Sequence, residues 1–162
     1  MRGGRAPHPP ARRCICGHAL TPPPPPPPLR RLSYTNFSLS YGGGALPPLT
    51  PASPTATLTV RVTNTGALAG DEVLQVYAAA NASTLAAPQP PYVPVRSLVF
   101  FQRLRLAPGE GAGVDVVLSA NMLNLTLSDG TRKPVDGAYG VLLSRGQGVG
   151  EELSVPLTLS GW

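Results

Sequence analysis

The sequence predicts an all-β chain, folded as an antiparallel β-sandwich behind an extended tail, and three observations carry that expectation. From position 32 onward apolar residues recur with a period of two, which sends alternate side chains to opposite faces of a strand. The apolar segments are short and are separated by Gly, Pro, Asn and Asp, the punctuation of a sandwich. Charged residues make up 13% of the 162 positions, and Gly and Pro together fill 39. That composition excludes a coiled coil or a long helical bundle. No apolar run approaches the roughly 18 residues of a membrane-spanning helix, so no membrane partner is expected.

Residues 1–31 carry six arginines and no acid, and residues 22–28 are seven consecutive prolines. Such a run has fixed φ and no N–H donors, so it favours a polyproline II rod. With too little apolar surface to order it, the segment is expected to be a disordered basic tail or linker. No 7–15-residue apolar stretch follows the first arginines, as a standard signal peptide would require. The formal charge of +5 belongs to this tail, because residues 32–162 hold seven basic and eight acidic residues. A nucleic-acid binder needs its Lys/Arg stripe on the folded surface; none is visible, and no nucleic-acid partner is expected.

The folded region is expected to span residues 32–162. Its first strand is placed at 32–39. In residues 55–65, Leu58, Val60 and Val62 alternate with Thr57, Thr59, Arg61 and Thr63, a half-buried strand. Asn64-Thr65-Gly66 and Ala69-Gly70 supply turn chemistry. Residues 71–79 are apolar at nearly every position, which suits a central strand. Ser97–Leu106 follows a Pro-rich loop and closes on Pro108-Gly109. Further alternations run through Val114, Val116 and Leu118, then Leu123, Leu125 and Leu127, then Tyr139, Val141 and Leu143, and finally Leu153, Val155, Leu157 and Leu159. Pro156 has the opposite parity, as on an edge strand with no N–H partner to lose. About eight strands result. Asp136-Gly137-Ala138-Tyr139 is similar to the tyrosine corner of immunoglobulin-like sandwiches, where a Tyr hydroxyl bonds an upstream backbone group.

Five motifs in order give the chain a family likeness. They are Leu32-Ser33-Tyr34-Thr35-Asn36-Phe37; Val60-Arg61-Val62-Thr63-Asn64-Thr65-Gly66; Gly70-Asp71-Glu72-Val73-Leu74-Gln75-Val76-Tyr77; Pro94-Val95-Arg96-Ser97-Leu98-Val99-Phe100-Phe101-Gln102-Arg103-Leu104 leading to Pro108-Gly109-Glu110; and Gly137-Ala138-Tyr139-Gly140-Val141. Together they resemble the fibronectin type III-like domain that closes many family-three glycoside hydrolases, the β-glucosidases and β-xylosidases. Arg31 and Phe100 stand where that family usually has glycine. The resemblance implies a structural accessory module, separated here from its catalytic domains, with those domains and polysaccharide as partners. It also implies an extracellular or cell-wall location.

A retaining glycosidase needs two carboxyl groups about 5–5.5 Å apart. The acids here are Asp71, Glu72, Glu110, Asp115, Asp129, Asp136, Glu151 and Glu152. They read as solvated charges, mostly beside glycines in turns, and adjacent pairs face opposite sides of a strand. No His follows His18, so a Ser-His-Asp triad is excluded from the sandwich. Cys14-Ile15-Cys16-Gly17-His18 lacks the fourth ligand and spacing of a zinc site. No catalytic residue, cofactor or metal is therefore expected. Asn36, Asn81 and Asn124 head Asn-x-Ser/Thr sequons that permit N-glycosylation. Tyr92, Phe100 and Trp162 are the aromatics available for a sugar platform, although loop or core placement suits them better. Four consecutive apolar residues, Leu98, Val99, Phe100 and Phe101, cannot all face one core. Strict alternation sends either Leu98 with Phe100, or Val99 with Phe101, outward. An alternative reading makes the chain a stand-alone interaction protein whose polyproline segment is an SH3, WW or profilin ligand.

Overall fold

A computed structural model of the chain describes residues 34–85, 92–146 and 152–162. The basic polyproline tail, the Cys14–His18 cluster, Leu32, Ser33 and Glu151 lie outside the described residues, as does most of the Pro-rich loop before Ser97.

Among the described residues, nine strands and one 3₁₀ turn follow in order. They are β1 (Phe37–Tyr41), β2 (Thr55–Asn64), β3 (Gly70–Ala80), β4 (Ser97–Leu106), β5 (Gly111–Ser119), the turn Ala120–Leu123, β6 (Leu125–Thr126), β7 (Arg132–Lys133), β8 (Gly137–Ser144) and β9 (Leu153–Leu159). Two sheets form the sandwich. One has the order β1-β2-β5, the other β4-β3-β8-β9, and β6 and β7 make a small ribbon. Every pair of named strands is antiparallel. The sandwich expected from the sequence is the fold observed.

Period-two patterning builds the core. Leu58, Val60 and Val62 of β2 and Val114, Val116 and Leu118 of β5 are buried from one sheet. Leu74, Val76, Val141, Leu143, Val155 and Leu157 meet them from the other. Each such side chain contributes about 1.5–3 kcal/mol through removal from water. β3 lies between β4 and β8, the central position its apolar sequence suggests. β9 ends its sheet, and residues 46–50 pass along its outer edge. There the Pro156 and Thr158 carbonyls accept bonds from the Leu46 and Leu49 amides, and Leu49 bridges Leu159 in parallel. The missing Pro156 N–H faces that side, so no β8–β9 bond is lost.

Three expectations are corrected. The first strand begins at Phe37, not at residue 32. The Asn36 carbonyl accepts the Thr65 and Gly66 amides and Thr35 bonds Asn64, so the segment before Phe37 is committed to a turn contact. Leu123, Leu125 and Leu127 do not form one long strand. Leu123 closes the 3₁₀ turn, and the β6–β7 ribbon returns through Asp129 and Gly130. Finally, β4 breaks strict alternation. Val76 pairs with Phe100 but Tyr77 pairs with Leu98, which leaves Val99 as the extra residue of a β-bulge. Val99 and Phe100 therefore both lean on the core, while Leu98 and Phe101 point out.

Candidate interaction face

The outward side of the four-stranded sheet follows from β3. Glu72, Leu74, Val76 and Ala78 are buried, so Asp71, Val73, Gln75 and Tyr77 present the other face. β4 adds Phe101 opposite Gln75, Leu98 opposite Tyr77 and Arg103 opposite Val73, and β8 adds Leu142 opposite Tyr77. Leu98 is 51% exposed and Phe101 68%. Arg96 lies 5.7 Å from the Tyr77 ring centroid and reaches Glu152 at 2.8 Å. These exposed contacts are worth little in stability, but they hold an arginine across a face otherwise rich in apolar groups. The Tyr77 hydroxyl donates to Gln75 Oε1 at 2.9 Å, and Arg103 pairs with Asp71.

Most of the other motif residues are internal. Asn64 is fully buried. Its Oδ1 accepts from Thr35 Oγ1 at 2.8 Å and the Gly66 amide at 3.0 Å, and its Nδ2 donates to Leu68 O at 2.8 Å and Leu106 O at 3.1 Å. The sequence reading of Asn64 as a turn residue missed this hub. Gly66 is needed because a Cβ there would lie 2.0 Å from Thr35 Oγ1. Phe37 is buried beside Gly70 at the start of β3, while Tyr34 is almost fully exposed. Pro108 and Gly109 turn the chain into β5, with Gly109 at φ +74 donating to Asn64 O. At Gly137 a Cβ would meet Leu85 Cα at 2.8 Å. Tyr139 is buried and its hydroxyl donates to Val135 O at 2.8 Å, the geometry of a tyrosine corner. Burial, with the Asp136 charge as a smaller cause, pushes its phenol up to about 12.

Glu72 corrects the reading of the acids as solvated turn charges: it is 4% exposed, within β3, with Arg145 Nη1 3.8 Å from its carboxylate. Its parity with Leu74 and Val76 was the available signal. The other described acids are spread over the surface. Asp115 accepts from Thr59, Glu110 from the Ala107 amide, and Asp136 from the Gly161 and Trp162 amides. Bonds from the Thr131 hydroxyl and amide hold the Asp129 carboxyl below its ordinary range. Among the described residues, no group of three or more His, Cys, Asp or Glu could hold a metal ion. No described helix is long and apolar enough to cross a membrane.

Asn36 and Asn81 are exposed, whereas Asn124 is half-buried and its Oδ1 lacks a partner among the described residues. Tyr92 is exposed ahead of β4, while Phe100 and Trp162 pack partly against the core. Among the described residues the exposed rings are Tyr34, Tyr92 and Phe101.

A three-plus-four antiparallel sandwich with a tyrosine corner defines an immunoglobulin-like class of domain. Residues 72–147 match the family of the fibronectin type III-like domain, and the chain carries such a domain. A protein named "Probable beta-glucosidase I" from Aspergillus fumigatus is 35% identical over 129 residues, which is 75% of this chain and 14% of that protein. A protein named "Beta-xylosidase" from Formosa agariphila is 31% identical over 129 residues, 79% of this chain and 17% of that one. The chain thus spans about one seventh of the length of the first of these relatives. Among solved structures, a β-glucosidase from Listeria innocua in complex with glucose superposes with a TM-score of 0.66. It has 21% identity, over 80% of this chain and 16% of that one, and shares the fold. A β-glucosidase from Streptomyces venezuelae in complex with D-glucose gives 0.57 at 27% identity, over 77% and 15%.

Proposed function

We propose that the chain is a non-catalytic accessory module of a β-glycosidase of glucosidase or xylosidase type. It packs on the catalytic domains through the outward face of the four-stranded sheet. The observation that carries this reading is the exposure of Leu98 and Phe101 on β4, within a domain whose relatives are glycosidases several times its length. An exposed apolar patch framed by polar residues is the usual mark of an interaction surface. The module's part in hydrolysis is structural: it stabilises catalytic domains that supply the carboxylates. The reading carries an extracellular or cell-wall location, with Asn36 and Asn81 as the sequons open to glycosylation.

Two measurements test it. The chain alone, given aryl β-glucosides and β-xylosides, should show no turnover; robust hydrolysis would refute the reading. Added to a related β-glucosidase lacking its matching segment, the chain should slow thermal inactivation. Leu98→Lys with Phe101→Lys should remove that protection while the sandwich stays folded.

A further inference from the structure

The turn that follows β3 carries the sequon Asn81-Ala82-Ser83. Residues 81–84 are exposed, and buried Leu85 closes the turn. The Asn81 amide donates to Ala138 O on β8 at 3.0 Å, which pins the residue to the sheet. Its carbonyl accepts from the Thr84 amide at 3.0 Å, the Leu85 amide at 3.2 Å and the Thr84 hydroxyl at 3.1 Å. Its side-chain Oδ1 accepts from the Ser83 amide at 3.2 Å and from the Ser83 hydroxyl at 2.7 Å. Nδ2 is the one polar group of Asn81 that bonds nothing among the described residues.

This is the arrangement of an acceptor. The Asx turn commits the carbonyl half of the side chain to Ser83 and leaves the nitrogen to solvent. The Asn-x-Ser/Thr pattern requires a hydroxyl two positions on. Here that hydroxyl donates to the amide oxygen, which draws electron density from Nδ2 and makes its N–H more acidic. Both side-chain bonds span two residues, so the turn does not wait for the sandwich to close. The other two sequons are held differently. Asn36 is exposed, but its carbonyl takes the Thr65 and Gly66 amides from a distant part of the chain, and Ser38 lies within β1 opposite Thr63. Asn124 lines a pocket with Met122, Leu123, Leu125 and Tyr139, and its Oδ1 is buried. A sugar on that nitrogen would draw the side chain out of its packing.

We infer that Asn81 is the principal N-glycosylation site of this chain, taking an oligosaccharide from a lipid diphosphate donor, and that Asn124 stays unmodified. Asn81 Nδ2 attacks the anomeric carbon of the donor, and the N–C bond forms as the C–O bond to the diphosphate breaks. The lipid diphosphate leaves with the bonding electrons, and one Nδ2 proton passes to a base of the transferase. The other N–H remains, and Oδ1 keeps both bonds from Ser83, so attachment removes no hydrogen bond from the turn. That donor is met on the secretory route, so the assignment rests on the extracellular location read above, and it narrows two exposed sequons to one.

The test is to express the full chain behind a cleavable secretory leader in a eukaryotic host. Glycan sites are then mapped by mass spectrometry after peptide N-glycosidase, which turns each occupied Asn into Asp. Most secreted chains should be occupied at Asn81, fewer at Asn36 and none at Asn124. Ser83→Ala should abolish the modification at Asn81, and Ser83→Thr should keep it. Both variants are read in whole-cell lysate as well as in the medium, so a chain that fails to fold still reports. Three results would overturn the assignment: an unmodified Asn81, occupancy at Asn36 or Asn124 equal to or above that at Asn81, or an Asn81 glycan that survives Ser83→Ala. Failure of the accessory-module reading shows separately, as turnover of aryl glycosides by the chain alone, and leaves the glycan map unchanged.

Discussion

Asn64 offers the sharpest test of how this sandwich is held together. Its side chain uses all four of its hydrogen-bonding positions, on Thr35, Gly66, Leu68 and Leu106, at 2.8–3.1 Å. Those partners belong to the segment before β1, the β2–β3 turn and the end of β4. Each bond contributes about 1 kcal/mol net, and a buried carbonyl left without a donor costs more. Asn64→Ala should therefore destabilise by about 4 kcal/mol, a large part of the 5–15 kcal/mol typical of a domain, and lower the melting temperature by more than about 10 °C.

Asn64→Asp has nearly the same shape and separates hydrogen bonding from packing. It keeps the two acceptor contacts but turns a carboxylate oxygen toward the Leu68 and Leu106 carbonyls. Burial and those carbonyls should raise its folded pKa above the unfolded value of about 3.9. A raised carboxyl is best accommodated while protonated. The variant should approach the native chain below about pH 4 and lose stability as pH rises through the folded pKa. Urea unfolding of both chains at pH 4 and pH 7 reads this directly. A loss below about 1 kcal/mol in Asn64→Ala would refute the hub, as would an Asn64→Asp deficit equal at the two pH values.

Tyr139→Phe should cost on the order of 1 kcal/mol in urea unfolding, because the buried Val135 carbonyl loses its donor. With the phenol pushed up to about 12, its ionisation, isolated by subtracting the Tyr139→Phe absorbance titration, should appear only near that pH. The stability linked to it is complete below pH 10 and is lost between pH 10 and 12. Gly137→Ala should destabilise by about 1–3 kcal/mol through its clash with Leu85 and Thr84, read as a lowered melting temperature. Val99→Lys with Phe100→Lys should unfold the domain, whereas Leu98→Lys with Phe101→Lys should fold and reduce self-association in sedimentation. The reverse pattern would contradict the bulge.

The strand plan was legible because burial in a sandwich imposes a period of two. β2, β5, β8 and β9 lie where alternation placed them, and Pro156 marked a sheet edge through its missing donor. Parity carried more information than was taken from it. Asn64 follows Leu58, Val60 and Val62 at the same parity, and Glu72 precedes Leu74 and Val76, so both polar side chains had to enter the core. Turn and charge chemistry read those residues by type and set them in solvent. The bulge at Val99 was not legible, since an extra residue in one strand is defined only against its partner, and pairing is a long-range property. The edge role of residues 46–50 escaped for the same reason: its bonds depend on where β9 comes to lie.

This division bears on function. Asn64, Gly66, Glu72, Gly137 and Tyr139, which carry much of the family likeness, are buried, hydrogen-bonded or at points of close approach. They specify an architecture, and an architecture by itself does not specify an activity. What distinguishes this domain as a working part must lie at outward positions, where folding asks little of the side chain. Leu98 and Phe101 on β4 occupy such positions. Substitution there should weaken docking while the sandwich stays folded, whereas substitution at Asn64 or Tyr139 should lower stability first.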